Sequence, residues 1–210
     1  MGPVAVDQVR WVDQVHGSTV IVVGERSRPS SLGPTPAGSA AHAVAAAGAG
    51  IGDALVSMAP SVALTVLTAD CAPIALGSAE GVFAAVHAGW RGLAGGVVDA
   101  AVRTMRSLGA GEVAGALGPC IHAECYPFGA DDLDAVAAVW GEGVRGRTGD
   151  DRPALDLPAA VAAALAGSGV AQVSGVDACT SCAGGYFSHR ARGDLGRQAL
   201  LVWSAAAGPG

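Results

Sequence analysis

The sequence predicts an α/β (α+β) fold: a single domain with a large mixed β-sheet flanked by helices. Three observations predict it. Short β-type apolar runs alternate with alanine-rich helical ones along most of the chain. The 210 residues suit one sizeable core rather than two full domains. No period of about 20–50 residues stands out, so a solenoid is not supported.

Taken in order, residues 26–50 (RSRPSSLGPTPAGSAAHAVAAAGAG) hold prolines, glycines, serines and alanines with hardly any large apolar side chain. They read as a mobile surface loop in which His42 is incidental. Strands are expected at VALTVL (62–67), GVFAAVH (81–87), VAGALG (113–118), VAQVSGVD (170–177) and QALLVW (198–203). The clearest helix lies in residues 95–111, where Val98, Ala101, Val102, Met105 and Leu108 recur at three- and four-residue spacing and Gly109 ends the run. Two more are expected in 131–143, opened by acidic residues, and in 157–169, opened by Pro158. Residues 183–203 read as a turn, a short strand with Tyr186 and Phe187, and the final strand.

Composition removes several function classes. All 12 basic residues are arginine, so Schiff-base chemistry, pyridoxal phosphate attachment and a Walker-type phosphate loop have no lysine to work with. The arginines are scattered and the net charge is −6, which argues against a nucleic-acid partner. Hydrophobic residues reach 51%, yet no apolar run approaches the roughly 20 residues that span a bilayer. The N-terminal residues also lack the pattern of a secretory signal. The expectation is a cytoplasmic protein with no membrane partner. Its five cysteines, Cys71, Cys120, Cys125, Cys179 and Cys182, are then expected as reduced thiols, either buried or metal-ligating.

Three apolar runs end on a metal-type donor: His16 in DQVHG, Cys71 in TADC and His87 in AAVHAGWRG. Ligands of α/β sheets gather at carboxyl ends of strands, so these distant donors are candidates to converge. Two imidazoles and a thiolate suit zinc and leave a fourth position for a reactant. In HAGWRGLAGG, glycines including Gly92 surround Arg91 ahead of the best helix, an arrangement that suits phosphate or another anion. LGPCIHAECYPFG contains His122-x-Glu124, but Pro119 and Cys120 precede it, whereas a zinc deaminase needs its Pro-Cys-x-x-Cys afterwards. Cys120 is kept as a candidate to line a cleft, and Arg190 as a candidate to face a pocket. Cys179 and Cys182 form a Cys-x-x-Cys, but a zinc ribbon needs a second such pair and the sequence has none.

In their order, QVHG, GDALVS, TADCAPIAL, VHAGWRGLAGG, LGPCI with CY, and CTSC followed by YFSHRARGDLGRQA closely resemble the YfiH-like family, also called polyphenol oxidase or laccase-domain proteins. The motifs cover about residues 8–203. The resemblance implies a single α/β domain over residues 1–210, and one zinc bound by His16, Cys71 and His87. It also implies phosphorolysis of adenosine, inosine and methylthioadenosine to the free base and ribose 1-phosphate, with adenosine deamination as a second activity. Zinc and Arg91 would orient phosphate or water while Asp53 or Asp70 handles a proton; Asp53 has a second reading as a turn cap. Gly92, Cys120 and Arg190 complete the substrate-binding set. The partners implied are a nucleoside and phosphate, with the chain a monomer or homodimer. Older family names imply copper and phenol oxidation, and some bacterial members are linked to peptidoglycan editing, for which Cys71 would be a nucleophile. A nucleoside-binding relative without activity is the remaining alternative. Three departures from the family stand out: a shortened N-terminus, a longer loop at 26–50, and Cys-Tyr-Pro at Cys125–Pro127 in place of Cys-Tyr-Glu.

Overall fold

The structure, a computed structural model, describes residues 8–24 and 45–204. Two central strands, β4 (Ala54–Ser57) and β7 (Phe83–Ala88), are buried along their whole length, because apolar residues occupy both alternating sets of positions. Ala54, Val56, Ala84, Val86 and Ala88 enter one core, and Leu55, Phe83 and Ala85 enter another on the opposite face. The sheet containing them is therefore covered twice.

That sheet has six strands in mixed orientation. Its order is β11 (Val170–Gly175), β8 (Val113–Leu117), β6 (Ala72–Ser78), β7, β4 and β2 (Val20–Val23). One face carries helices α2 (Val97–Ser107) and α4 (Leu157–Gly167), with α1 (Trp90–Ala94) and α3 (Ala130–Trp140) beside them. The other face packs on a second mixed sheet of four strands, ordered β12 (Gln198–Trp203), β5 (Val62–Thr68), β1 (Gln8–Asp13) and β3 (Ala45–Ile51). A hairpin of β9 (Arg145–Arg147) and β10 (Pro153–Leu155) lies apart, and α5 (His189–Arg192) precedes β12. None of the described helices is long and apolar enough to cross a membrane.

The expected mixed α/β architecture is present, but the strands divide between two stacked sheets rather than forming one. The three expected helices correspond to α2, α3 and α4, and α4 opens with the Asp156 side chain accepting from the Ala159 amide at 2.9 Å. Two local expectations are corrected. Residues 45–50 of the expected loop are strand: β3 runs parallel to β1, and Gly48 leaves room for the Trp11 indole beside it. The rest of that loop, with His42, lies outside the described residues. Tyr186 and Phe187 form no strand; the Ser188 side chain instead caps α5, accepting from the Ala191 amide at 3.1 Å.

Between the sheets, Leu64 on β5 is fully buried among Leu55, Val62, Val66 and Phe83. Leu64→Ala is expected to cost about 3 kcal/mol. Urea unfolding checks it: the midpoint should fall with the slope unchanged, and an unmoved midpoint would show that the two sheets are not held at this position.

Candidate metal centre

The site begins with strand register. β1 and β5 are parallel neighbours, Gln8 opposite Val62 and Trp11 opposite Thr65, and His16 and Cys71 each follow three residues past the end of their strand. The pairing therefore sets the two donors side by side, with Cys71 Sγ 3.7 Å from His16 Nε2. His87 comes from the other sheet, near the end of β7. Its ring meets that of His16 edge-on, with centroids 4.8 Å apart. One donor atom from each of the three lies within 4.8 Å of the others. A shared tetrahedral zinc would separate thiolate and imidazole donors by about 3.5 Å. The set fits one ion, and it opens toward solvent on the His16 side, since His16 is exposed, Cys71 half-buried and His87 buried.

Asp53 holds this geometry. Fully buried, it accepts from the His16 amide at 2.9 Å and the Gly17 amide at 2.7 Å, while its Oδ1 lies 2.8 Å from His87 Nδ1. An ionised carboxylate can only accept, so Nδ1 carries the hydrogen and Nε2 is left to ligate. The His16 turn needs that clamp because His16 adopts φ 60°, in the left-handed region that disfavours side chains. Burial holds the His87 imidazole below its usual range despite the pull of Asp53, which keeps it in the neutral, ligating form.

Asp70 explains why an apolar strand stops where it does. Its φ of 94° turns the chain sharply. Its carboxylate accepts from Thr180 Oγ1 and the Arg190 amide, both at 2.7 Å, and its carbonyl from the Ile121 amide at 2.9 Å. Burial, with the charges of Asp70 and Asp53, pushes the Cys71 thiol up to about 12, and Arg197 pulls the other way. Without a cation beside it, such a thiol is a poor nucleophile.

The other predicted residues are placed differently. Arg91 is exposed and lies over the Trp90 ring at 4.4 Å. Gly92 is buried on α1, where an added Cβ would sit 3.0 Å from the Gly17 carbonyl, so it packs the His16 turn rather than facing a ligand. Cys120 is 1% exposed, in the helix-side core beside Cys179. Arg190 stands over the Tyr126 ring at 5.1 Å. Tyr126, Phe128 and Trp90 make an edge-to-face row, which thus ends in an arginine on either side. Burial and then the Cys71 charge push the Tyr126 phenol up to about 12, and Arg190, whose amide donates to Asp70, ties this row to the site. A cavity of about 750 Å³ lined by Ser78, Phe83 and Trp203 lies by the far end of β7 and takes no part.

Residues 3–205 match the family described as multi-copper polyphenol oxidoreductase laccase. The chain belongs to this family. A purine nucleoside phosphorylase of Streptomyces coelicolor is 38% identical over 199 residues, spanning 93% of this chain and 75% of that protein. Among solved structures, Neisseria meningitidis protein NMB0706 superposes with a TM-score of 0.74 at 32% identity, covering 94% of this chain and 75% of that one. Bacillus licheniformis YfiH shares the fold, with a TM-score of 0.77 at 24% identity over 93% and 74% of the two chains. Similarity to purine nucleoside phosphorylases supports an enzyme acting on small molecules.

For this laccase-family chain, two residues near the donors escaped the sequence reading, Tyr126 and Thr180, and Gly89 was read only as one of the glycines around Arg91. Gly89 carried the clearest signal, a glycine two residues beyond a candidate ligand. A Cβ there would stand 2.8 Å from His16 Cδ2 and 3.2 Å from Cys71 Sγ. Gly89→Ala should therefore push the donors apart and weaken metal binding by about 10–100-fold, as disturbed supporting positions do. Competition with a chromogenic chelator measures it; unchanged affinity would mean that the donors do not need this close backbone.

Proposed function

We propose that the chain is a zinc-dependent purine nucleoside phosphorylase, acting on adenosine, inosine or methylthioadenosine with phosphate, and deaminating adenosine as a side activity. The observation that carries this reading is the meeting of His16, Cys71 and His87 within 4.8 Å, open on one side. Zinc held there would supply Lewis-acid polarisation of a phosphate or water oxygen at its fourth position.

The chain's own residues do the rest. Asp53 keeps the proton on His87 Nδ1 and clamps the His16 turn, and Asp70 fixes Cys71 by accepting from the Thr180 hydroxyl and the Arg190 amide. With these oxygens engaged, both carboxylates are positioning residues in this account, and the proton role expected for either is dropped. Arg190 and Arg197 supply positive charge on the exposed wall, which suits a phosphate dianion. The Trp90–Phe128–Tyr126 row supplies ring surface for a purine, with Arg91 at its far end. A two-nitrogen, one-sulfur set fits a single ion, whereas reduction of dioxygen to water calls for several coppers. Phenol oxidation is disfavoured on that ground, and peptidoglycan editing by a free Cys71 nucleophile on its raised thiol.

Incubation with adenosine, with and without phosphate and with products resolved by chromatography, tests the reading. Adenine and ribose 1-phosphate are expected only with phosphate, and a smaller amount of inosine without it. No nucleoside turnover, with stoichiometric copper and phenol oxidation instead, would contradict it.

A further inference from the structure

A second cluster of donors includes Cys179, the neighbour of the Thr180 whose hydroxyl donates to Asp70. The Cys-x-x-Cys of residues 179–182, which lacks a second pair in the sequence, finds its partners in space. One donor atom each from Cys125, Cys179, Cys182 and Glu124 lies within 4.8 Å of the others. The Cys182 Sγ to Glu124 Oε1 distance is 3.7 Å, and all three cysteines are free thiols. Around one tetrahedral zinc, thiolate donors would stand about 3.8 Å apart and thiolate and carboxylate about 3.6 Å apart. We propose that Cys125, Cys179, Cys182 and Glu124 form a second, closed metal site for zinc or a similar thiophilic divalent cation.

The surroundings match that assignment. The His122 amide donates to Cys179 Sγ at 3.4 Å, a bond that stabilises a thiolate. His122 Nδ1 stands 3.9 Å from Glu124 Oε1, so the carboxylate ligand has an imidazole behind it. Backbone placement converges too. Glu124 and Cys125 lie on a 3₁₀ turn, Ala123–Cys125, and Cys179 bridges to Cys120 while the Thr180 amide donates to the Cys120 carbonyl at 3.0 Å.

Its use follows from what those loops carry. Cys125 precedes Tyr126 of the aromatic row, and Cys179 precedes Thr180, whose hydroxyl holds Asp70 beside Cys71. A cation here would fix the wall of the first centre without touching substrate. Binding would release thiol protons, and four protein donors leave no position for a reactant.

Cobalt(II) added to chelator-stripped, reduced protein tests this independently of any activity. The wild type should take up about two equivalents. Thiolate-to-cobalt charge-transfer absorption scales with the number of thiolates bound, so Cys71→Ser should lose about a quarter of it and Cys125→Ser/Cys182→Ser about three quarters. Cobalt should also raise the thermal midpoint of Cys71→Ser, in which the first centre is already broken. One equivalent in the wild type, no absorption in Cys71→Ser, or a Cys179–Cys182 disulfide that persists under reductant would overturn the proposal. Loss of phosphorolysis alone bears only on the first centre.

Discussion

Cys71→Ala should leave a folded protein that no longer holds metal at the first centre and no longer cleaves nucleosides. Removing one half-buried sulfur costs the fold about 1 kcal/mol, a fraction of typical domain stability. Its effect on chemistry is far larger. Two imidazoles remain without the anionic ligand that neutralises a dication, and phosphorolysis should fall by at least about a thousandfold. Rates measured with adenosine and phosphate, beside a far-ultraviolet spectrum showing intact structure, check it. Retention of full rate and full metal would remove Cys71 from the centre.

Asp53→Asn should be the most damaging conservative change. The carboxylate is fully buried and serves three hydrogens: the His16 amide, the Gly17 amide and His87 Nδ1–H. Asparagine has one accepting oxygen. Its NH₂ would face a donor, leaving a buried N–H unsatisfied, at a cost of about 2–4 kcal/mol. The same change loosens His87 and releases the strained His16 turn, so metal affinity should drop by about 10–100-fold. Urea unfolding and chelator competition read the two effects separately. A residue that only capped a turn would shift the unfolding midpoint and leave affinity alone.

Much of this arrangement was legible in the sequence because local patterns carried it. α2 follows from Val98, Ala101, Val102 and Met105 at helical spacing, all buried as that spacing demands. β5, β7, β8 and β12 follow from apolar runs of strand length. β3 was hidden because AAAGAGI has no large side chain to signal a strand; it is held by pairing with β1 and by the Trp11 indole. β6 was obscured by Pro73, tolerated as the second residue of its strand.

The site shows the same division. His16, Cys71 and His87 could be picked out one by one as donors ending apolar runs, yet it is the pairing of β1 with β5 and of β6 with β7, with the two sheets stacked, that brings them together. Asp53 read equally as a turn cap or a proton carrier because its three bonds reach residues 34 to 37 positions away. The partners of Cys179 and Cys182 were invisible for the same reason: Cys125 and Glu124 lie more than 50 residues earlier in the chain. Arg91 and Cys120 were chosen from motif position, which does not show that Arg91 stacks on the Trp90 ring or that Cys120 is buried in the helix-side core.

The most direct measurement is phosphorolysis of chelator-stripped protein as zinc is added back, with ribose 1-phosphate as the readout. The rate should start near zero and return to that of untreated protein in the wild type, while Cys71→Ala stays inactive at every zinc concentration. Stripped protein that forms ribose 1-phosphate at the full rate before any zinc is added would contradict the account.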